Sequence, residues 1–272
     1  MYTVTSADGT RIAYDRYGDG PAVILVNGAL GYRKFKTFEQ IATGLSDRLT
    51  VINYDRRGRG DSGPAGPVSV QHEVDDIAAL IDAVGGRASL SGYSSGGAVA
   101  LRAAAAGLPV EKLVVYETPF KTDPEAKYPL DDYGARLDEI VASGDSMAAA
   151  KHFMRNVGIP GPMVGVMTLL PMFRRFGTNG LTLPFDYAAL GDHNMHGQPL
   201  QLEEWSAVTC PTLVAYGGKT VAGLKHASRS LAEVLPNATL REVPGQTHAV
   251  KPSAIVPVIA DFVADGAPVT AR

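Results

Sequence analysis

The chain alternates short apolar runs with longer stretches of helical spacing. Ala22-Val23-Ile24-Leu25-Val26 is an unbroken β-rich run. A run with no polar alternation predicts a strand buried on both faces. Leu49–Asn53, Ala88–Ser91, Leu113–Tyr116, Thr212–Tyr216 and Leu240–Val243 predict further strands. Thr3–Thr5 and Arg11–Tyr17 predict a hairpin, with Asp8-Gly9 supplying its turn. Helical spacing runs over 35–45, 69–84, 223–234 and 254–263. In the second of these, Ile77, Leu80, Ile81 and Val84 share one face. Strands regularly followed by helices imply an α/β fold, a mostly parallel twisted sheet with helices on both faces. Ligands bind such sheets at the C-terminal ends of the strands.

The stretch from 119 to 205 breaks the alternation. It holds no convincing strand and many apolar residues at helical spacing. The expected organisation is therefore a core formed by 1–118 and 206–272, with 119–205 inserted as a helical lid over the strand ends.

Composition narrows the function. With 272 residues the chain suits one α/β domain carrying an insertion. A net charge of −3 gives no footprint for nucleic acid or for an anionic membrane. The one dense basic run, Arg56-Arg57-Gly58-Arg59, reads as a solvated loop or a structural ion-pair set. Cys210 is the single cysteine, so no internal disulfide forms, and its place before Pro211 reads as packing. Met1–Thr5 lacks the basic and apolar regions of a signal peptide. The most apolar stretch, Met163–Leu170, is too short to span a bilayer. A cytoplasmic location is the expectation, with a homo-oligomer left open.

The chemistry concentrates at Gly92-Tyr93-Ser94-Ser95-Gly96-Gly97, between an apolar run and a helical one. A serine with glycines two positions to either side, between strand and helix, is a nucleophile elbow. The turn pushes the hydroxyl out at the strand end, and the following helix offers free N–H groups to an anion. His193-x-x-His196 lacks the Glu of a zinc-binding H-E-x-x-H, and no phosphate-binding G-x-x-x-x-G-K-[ST] occurs. No metal and no cofactor is expected.

The elbow, the strand order and the loop Asp55-Arg56-Arg57-Gly58-Arg59-Gly60-Asp61-Ser62 together resemble the α/β-hydrolase superfamily. The resemblance covers the chain outside the insertion and implies the roles that follow. Ser94 is the nucleophile. His248, in the loop Val243-Pro244-Gly245-Gln246-Thr247-His248, is its base; an imidazole with a pKa near ~6.5 takes and returns a proton at neutral pH. Most members place an acid after the strand that here is Thr212–Tyr216, but this chain reads Gly217-Gly218-Lys219-Thr220. Glu117, in Tyr116-Glu117-Thr118-Pro119, stands where certain resorcylic-lactone hydrolases carry the Glu of a Ser–Glu–His arrangement. It is the expected acid, with Asp123, Asp186 and Asp192 as weaker candidates.

The resemblance also implies an oxyanion hole made by the amides of Ser95 and Ala29. Asn27 replaces the usual histidine at the start of the second loop. Met163, Met167 and Phe173 belong to an apolar cluster of the insertion and are expected in the substrate pocket, which favours an apolar substrate. The implied function is hydrolysis of an ester or lactone through an acyl-enzyme. The alternatives are C–C bond hydrolysis, a cofactor-free lyase or cyclase step, or a non-catalytic small-molecule-binding homologue.

Overall fold

A computed structural model describes residues 1–125, 132–194 and 197–264, apart from the side chains of Met172, His193 and Asn194. The first part of the chain runs β1 (Tyr2–Thr5), β2 (Arg11–Tyr17), β3 (Ala22–Val26), α1 (Lys36–Leu45), β4 (Thr50–Tyr54), α2 (Val70–Ala83), β5 (Ala88–Tyr93), α3 (Ser95–Ala105) and β6 (Val110–Tyr116). Then come α4 (Tyr133–Ala142), α5 (Ser146–Asn156), α6 (Gly161–Met167), α7 (Pro171–Gly177), α8 (Leu183–Leu190) and α9 (Leu202–Trp205). The sheet resumes with β7 (Thr212–Gly217), α10 (Ala222–Val234), β8 (Ala238–Val243) and α11 (Pro252–Ala264).

The eight strands lie in the order β1-β2-β4-β3-β5-β6-β7-β8. β2 is antiparallel to β1 and to β4; β3 to β8 pair in parallel. The expected hairpin, strands and core helices are all present. Strand ends shift by a few residues: β5 runs on to Tyr93 and β6 begins at Val110. α11 continues through Pro257, which is exposed.

Side chains alternate along the strands and feed two cores. Ile24, Ile52, Leu90, Leu113 and Val115 pack under α2 and α3 with Ile77, Leu80, Ile81 and Leu101. Val23, Leu25, Val51, Val114 and Leu213 pack on the other face against α1 and α11 with Ile41, Leu45, Ile255 and Ile259. Burial on both faces explains the unbroken apolar runs.

From β3 the chain steps to β4 on one side, then returns to place β5 on the other side of β3. The loops after β3 and β5 therefore leave the sheet in opposite directions and open a crevice between them. That crevice carries Gly28 on one wall and Ser94 on the other.

The basic run is an ion-pair set. Arg56, Arg57 and Arg59 are each about 1% exposed, as is Arg33. Arg57 pairs with Asp76 and Asp8, Arg33 with Asp55, Asp15 and Asp61, and Arg56 with Glu73 and Asp186. Buried charge of this density persists only when paired and hydrogen-bonded. Cys210 packs at the margin of the α2–α3 core, and burial pushes its thiol up from its ordinary range.

Candidate active site

β5 ends at Tyr93 and α3 begins at Ser95, so Ser94 makes the whole turn between them. Its backbone sits at φ 55°, ψ −130°. The turn is possible because its neighbours lack side chains. A Cβ on Gly96 would stand 2.1 Å from the Val26 carbonyl oxygen. One on Gly92 would stand 2.5 Å from the Gly97 Cα. The Ser94 amide donates to the Tyr116 carbonyl at 2.9 Å, which ties the turn to the end of β6.

Glu117 follows directly on β6 and is fully buried. It too has a positive φ, 49°. Its amide donates to the Ala215 carbonyl at 3.1 Å. Its Oε1 accepts from the Gly217 amide at 2.7 Å and its Oε2 from the Thr220 hydroxyl at 3.0 Å. Oε2 also lies 2.8 Å from Nδ1 of His248, and Nε2 of that ring lies 3.2 Å from Ser94 Oγ. Three side chains from the ends of β5, β6 and β8 thus form one chain of contacts. The Gly217 amide and the Thr220 hydroxyl thus hold the buried carboxylate against the imidazole ring.

The other acids lie elsewhere. Asp123 accepts from the Glu125 amide in its own turn, and Asp192 is exposed. Asp186 is buried against Arg56, Arg59 and Ser95.

Sequence reasoning missed two tyrosines. Tyr93 precedes Ser94, Tyr116 precedes Glu117, and the two are register partners in the parallel pair β5–β6. Their rings stack at 5.8 Å and 5°. Both face the α1–α11 core, and their hydroxyls rise to consecutive carbonyls of the histidine loop. Tyr116 donates to Thr247 O at 2.7 Å and Tyr93 donates to His248 O. Burial, and then the nearby Glu117 charge, push both phenols above their ordinary range, so both remain donors at neutral pH. The available signal was two tyrosines at homologous strand ends; their shared target lies over 130 residues downstream.

The loop after β3 approaches the elbow closely. A Cβ on Gly28 would stand 2.8 Å from Tyr93 O and 2.9 Å from Ser94 Cβ. The next peptide unit carries the Ala29 amide, and Ser95 opens α3 directly after Ser94. Asn27 donates from Nδ2 to Asn53 Oδ1 at 3.3 Å and to Tyr54 O at 3.4 Å, while its buried Oδ1 has no partner.

The structure does not gather Met163, Met167 and Phe173 around Ser94. Phe173 is buried with Met154 and Val164 in a cluster internal to the helical segment, Met167 packs at its edge, and Met163 is 56% exposed. Leu30 instead shares a cluster with Tyr133, Leu137 and Leu183 of the segment, against which Ala29, Phe153, Phe176 and Tyr187 pack. His196 lies outside the described residues, as does the side chain of His193. Among the described residues no cluster of three or more metal-binding side chains occurs, and no helix is long and apolar enough to cross a membrane.

A serine at positive φ between strand and helix, on a mostly parallel eight-stranded sheet, defines a class, and sequence comparison agrees with it. The model of the alpha/beta hydrolase family matches residues 23–256, and the chain belongs to that family. A crystal structure of an alpha/beta hydrolase from Sphaerobacter thermophilus is similar at 41% identity and a TM-score of 0.87, covering 96% of this chain and 99% of that one. "Putative carbamate hydrolase RutD" of a Caulobacter species is 30% identical over 250 residues, which is 86% of this chain and 88% of that protein. The enol-lactonase of Burkholderia xenovorans shares the fold, at 21% identity and a TM-score of 0.70 over 97% of this chain and all of that one. The chain spans only 5% of the length of polyketide synthase ThaQ of Burkholderia thailandensis, with 38% identity over 98 residues.

Proposed function

We propose that this hydrolase cleaves a carboxylic ester or lactone of an apolar small molecule through an acyl-enzyme. The observation that carries the reading is the unbroken contact chain Ser94 Oγ–His248 Nε2, His248 Nδ1–Glu117 Oε2, at 3.2 and 2.8 Å. Glu117 holds the Nδ1–H tautomer, which leaves Nε2 free to accept the serine proton. Ser94 Oγ attacks the carbonyl carbon as His248 takes that proton. The carbonyl oxygen becomes an oxyanion, received by the amides of Ala29 and Ser95. The intermediate collapses with the C–O bond breaking, and His248 returns the proton to the leaving alkoxide. Water then repeats the sequence on the acyl-enzyme and frees Ser94. In this reading residues 119–205 act as the lid, and the apolar residues that cluster with Leu30 and Ala29 shape the acyl site.

Labelling with a fluorophosphonate, combined with turnover of a panel of aryl esters and lactones, tests the reading. Covalent modification at Ser94 and turnover of at least one substrate are expected. An intact, folded protein that is neither labelled nor active would be a binding homologue.

A further inference from the structure

Two buried arginines and one aspartate of the helical segment stand directly behind the proposed oxyanion hole. Arg59 donates from Nη1 to Gly28 O at 2.8 Å, from Nε to Thr182 Oγ1 at 2.9 Å and from Nη2 to Asp186 Oδ2 at 2.6 Å. Arg56 donates from Nη1 to Asn27 O at 3.1 Å and to Asp186 Oδ1, with its remaining fork on Glu73. Asp186, on α8, also accepts from Ser95 Oγ at 2.7 Å. One carboxylate therefore grips the residue after the nucleophile and both guanidiniums that grip the loop after β3.

The peptide geometry gives this arrangement a chemical consequence. Gly28 C=O and Ala29 N–H belong to the same planar trans peptide, so they point in opposite directions. A guanidinium fixed on Gly28 O therefore fixes the direction of the Ala29 N–H. The bond is charge-assisted, and a carbonyl polarised from one side makes its own N–H a stronger donor on the other. The second peptide is treated likewise: Ser94 C=O accepts from the Gly97 amide at 2.8 Å, behind the Ser95 N–H.

We infer that Arg59, held in place by Asp186 of the helical segment, is a positioning residue that orients and polarises the Gly28–Ala29 peptide for transition-state binding. The inference rests on the serine-hydrolase reading above. It also makes the helical segment part of the catalytic apparatus, because Thr182 and Asp186 supply the anchor that keeps Arg59 on Gly28 O.

The test uses the full chain, an aryl ester as substrate and an aliphatic trifluoromethyl ketone as a mimic of the tetrahedral intermediate. Removing one oxyanion donor from a serine hydrolase costs about 10²–10³-fold in kcat. Arg59→Gln leaves the amide in place but unaligned, so a fall of about 10- to 100-fold is expected. KM should stay within about twofold, and affinity for the ketone should drop in step with kcat. The pH midpoint of kcat/KM should not move, because Arg59 does not touch His248. Arg59→Lys keeps a cationic donor and should recover part of both losses. A merely structural role would not lower kcat and ketone affinity together at constant KM. A folded Arg59→Gln with wild-type kcat and ketone affinity overturns the inference, and so does a loss confined to KM.

If Arg59→Gln does not fold, the charge-balanced pair Arg59→Gln with Asp186→Asn is read in the same way. If neither folds, the wild-type protein decides: a crystal structure of the Ser94 phosphonate should place an adduct oxygen roughly 2.7–3.1 Å from the Ala29 nitrogen, with Arg59 on Gly28 O. Any other arrangement overturns the inference. Wild-type protein that neither turns over the ester nor reacts with fluorophosphonate overturns the hydrolase reading itself, a result distinct from a silent Arg59 variant.

Discussion

The Thr220 hydroxyl donates to the Glu117 carboxylate at 3.0 Å. The loop after β7 thus supports a carboxylate supplied by the neighbouring strand β6, the one proposed above as the acid. Glu117→Gln should lower kcat by about 10⁴-fold with little change in KM, the size of loss seen when a triad acid becomes an amide. Because Thr220 lies beside the carboxylate, adding Thr220→Asp to Glu117→Gln should restore at least about tenfold of kcat. Steady-state kinetics on one ester decide both points. A Glu117→Gln enzyme with near-normal kcat would remove Glu117 from the mechanism.

Ser94 and Ser95 are adjacent hydroxyls with different surroundings. Ser94 Oγ faces His248, whereas Ser95 Oγ faces Asp186. Ser94→Ala should abolish turnover and fluorophosphonate labelling while the melting temperature holds or rises. Ser95→Ala keeps its amide and should retain activity within about tenfold, since one side-chain hydrogen bond is worth about 0.5–1.5 kcal/mol. The reverse pattern would move the nucleophile.

Tyr93 and Tyr116 brace the histidine loop from beneath the sheet. Each hydroxyl removed should cost about 0.5–1.5 kcal/mol of stability. Tyr93→Phe combined with Tyr116→Phe should also lower kcat, because the carbonyls of Thr247 and His248 lose their anchors together. Hydrogen exchange over residues 244–250 should quicken in the double variant. Unchanged exchange and unchanged kcat would reduce the pair to packing.

Phe173 is buried among residues of its own segment. Phe173→Ala should therefore cost about 3–5 kcal/mol through the cavity it leaves, with the ranking of acyl esters unchanged. Leu137→Ala, on the cluster that includes Ala29 and Leu30, should reorder that ranking by about 1–3 kcal/mol in kcat/KM between chain lengths. Thermal melts and an ester panel separate the two. A reordered ranking for Phe173→Ala alone would return that residue to the pocket.

Asp186 sets an acid limit. Burial alone would push its carboxyl up, but the guanidiniums of Arg56 and Arg59 outweigh this and hold it below the usual range. The unfolded chain takes up this proton near pH ~4, while the folded chain resists. The contribution is whole above that pH and is lost as pH falls through the folded value. Asp186→Asn should melt lower than wild type at pH ~7, and the gap should narrow towards pH ~3. A gap that widens in acid would reverse the assignment.

Local order was legible where it was decided locally. Val23, Leu25 and Ile24 announced a doubly buried strand because both sheet faces are covered, and Gly92, Gly96 and Gly97 announced the elbow because no side chain fits there. The family resemblance pointed to His248 and Glu117, each in a segment that follows a strand, and their side chains lie in contact at 2.8 Å. The rest depends on distant partners. The basic run looked the same as a solvated loop until Glu73, Asp76 and Asp186 closed on it from helices up to 130 positions away. Phe173 looked like a pocket residue because apolar helices in an inserted segment can face either the site or one another.

Among the described residues, Leu30, Ser94 and Glu117 are the non-glycine residues with positive φ. Leu30 lies in the loop after β3, Ser94 makes the turn after β5 and Glu117 follows directly on β6. Such conformations cost on the order of 1–3 kcal/mol apiece and persist only where the surrounding fold enforces them. The wide core, with its two apolar faces, is thus spent partly on holding three residues where they would not rest by themselves. Selection for durability alone would exchange Ser94 for glycine, relax the turn and gain melting temperature. On the function proposed above, a serine kept at φ 55° is a cost carried by every folded copy and recovered only in turnover.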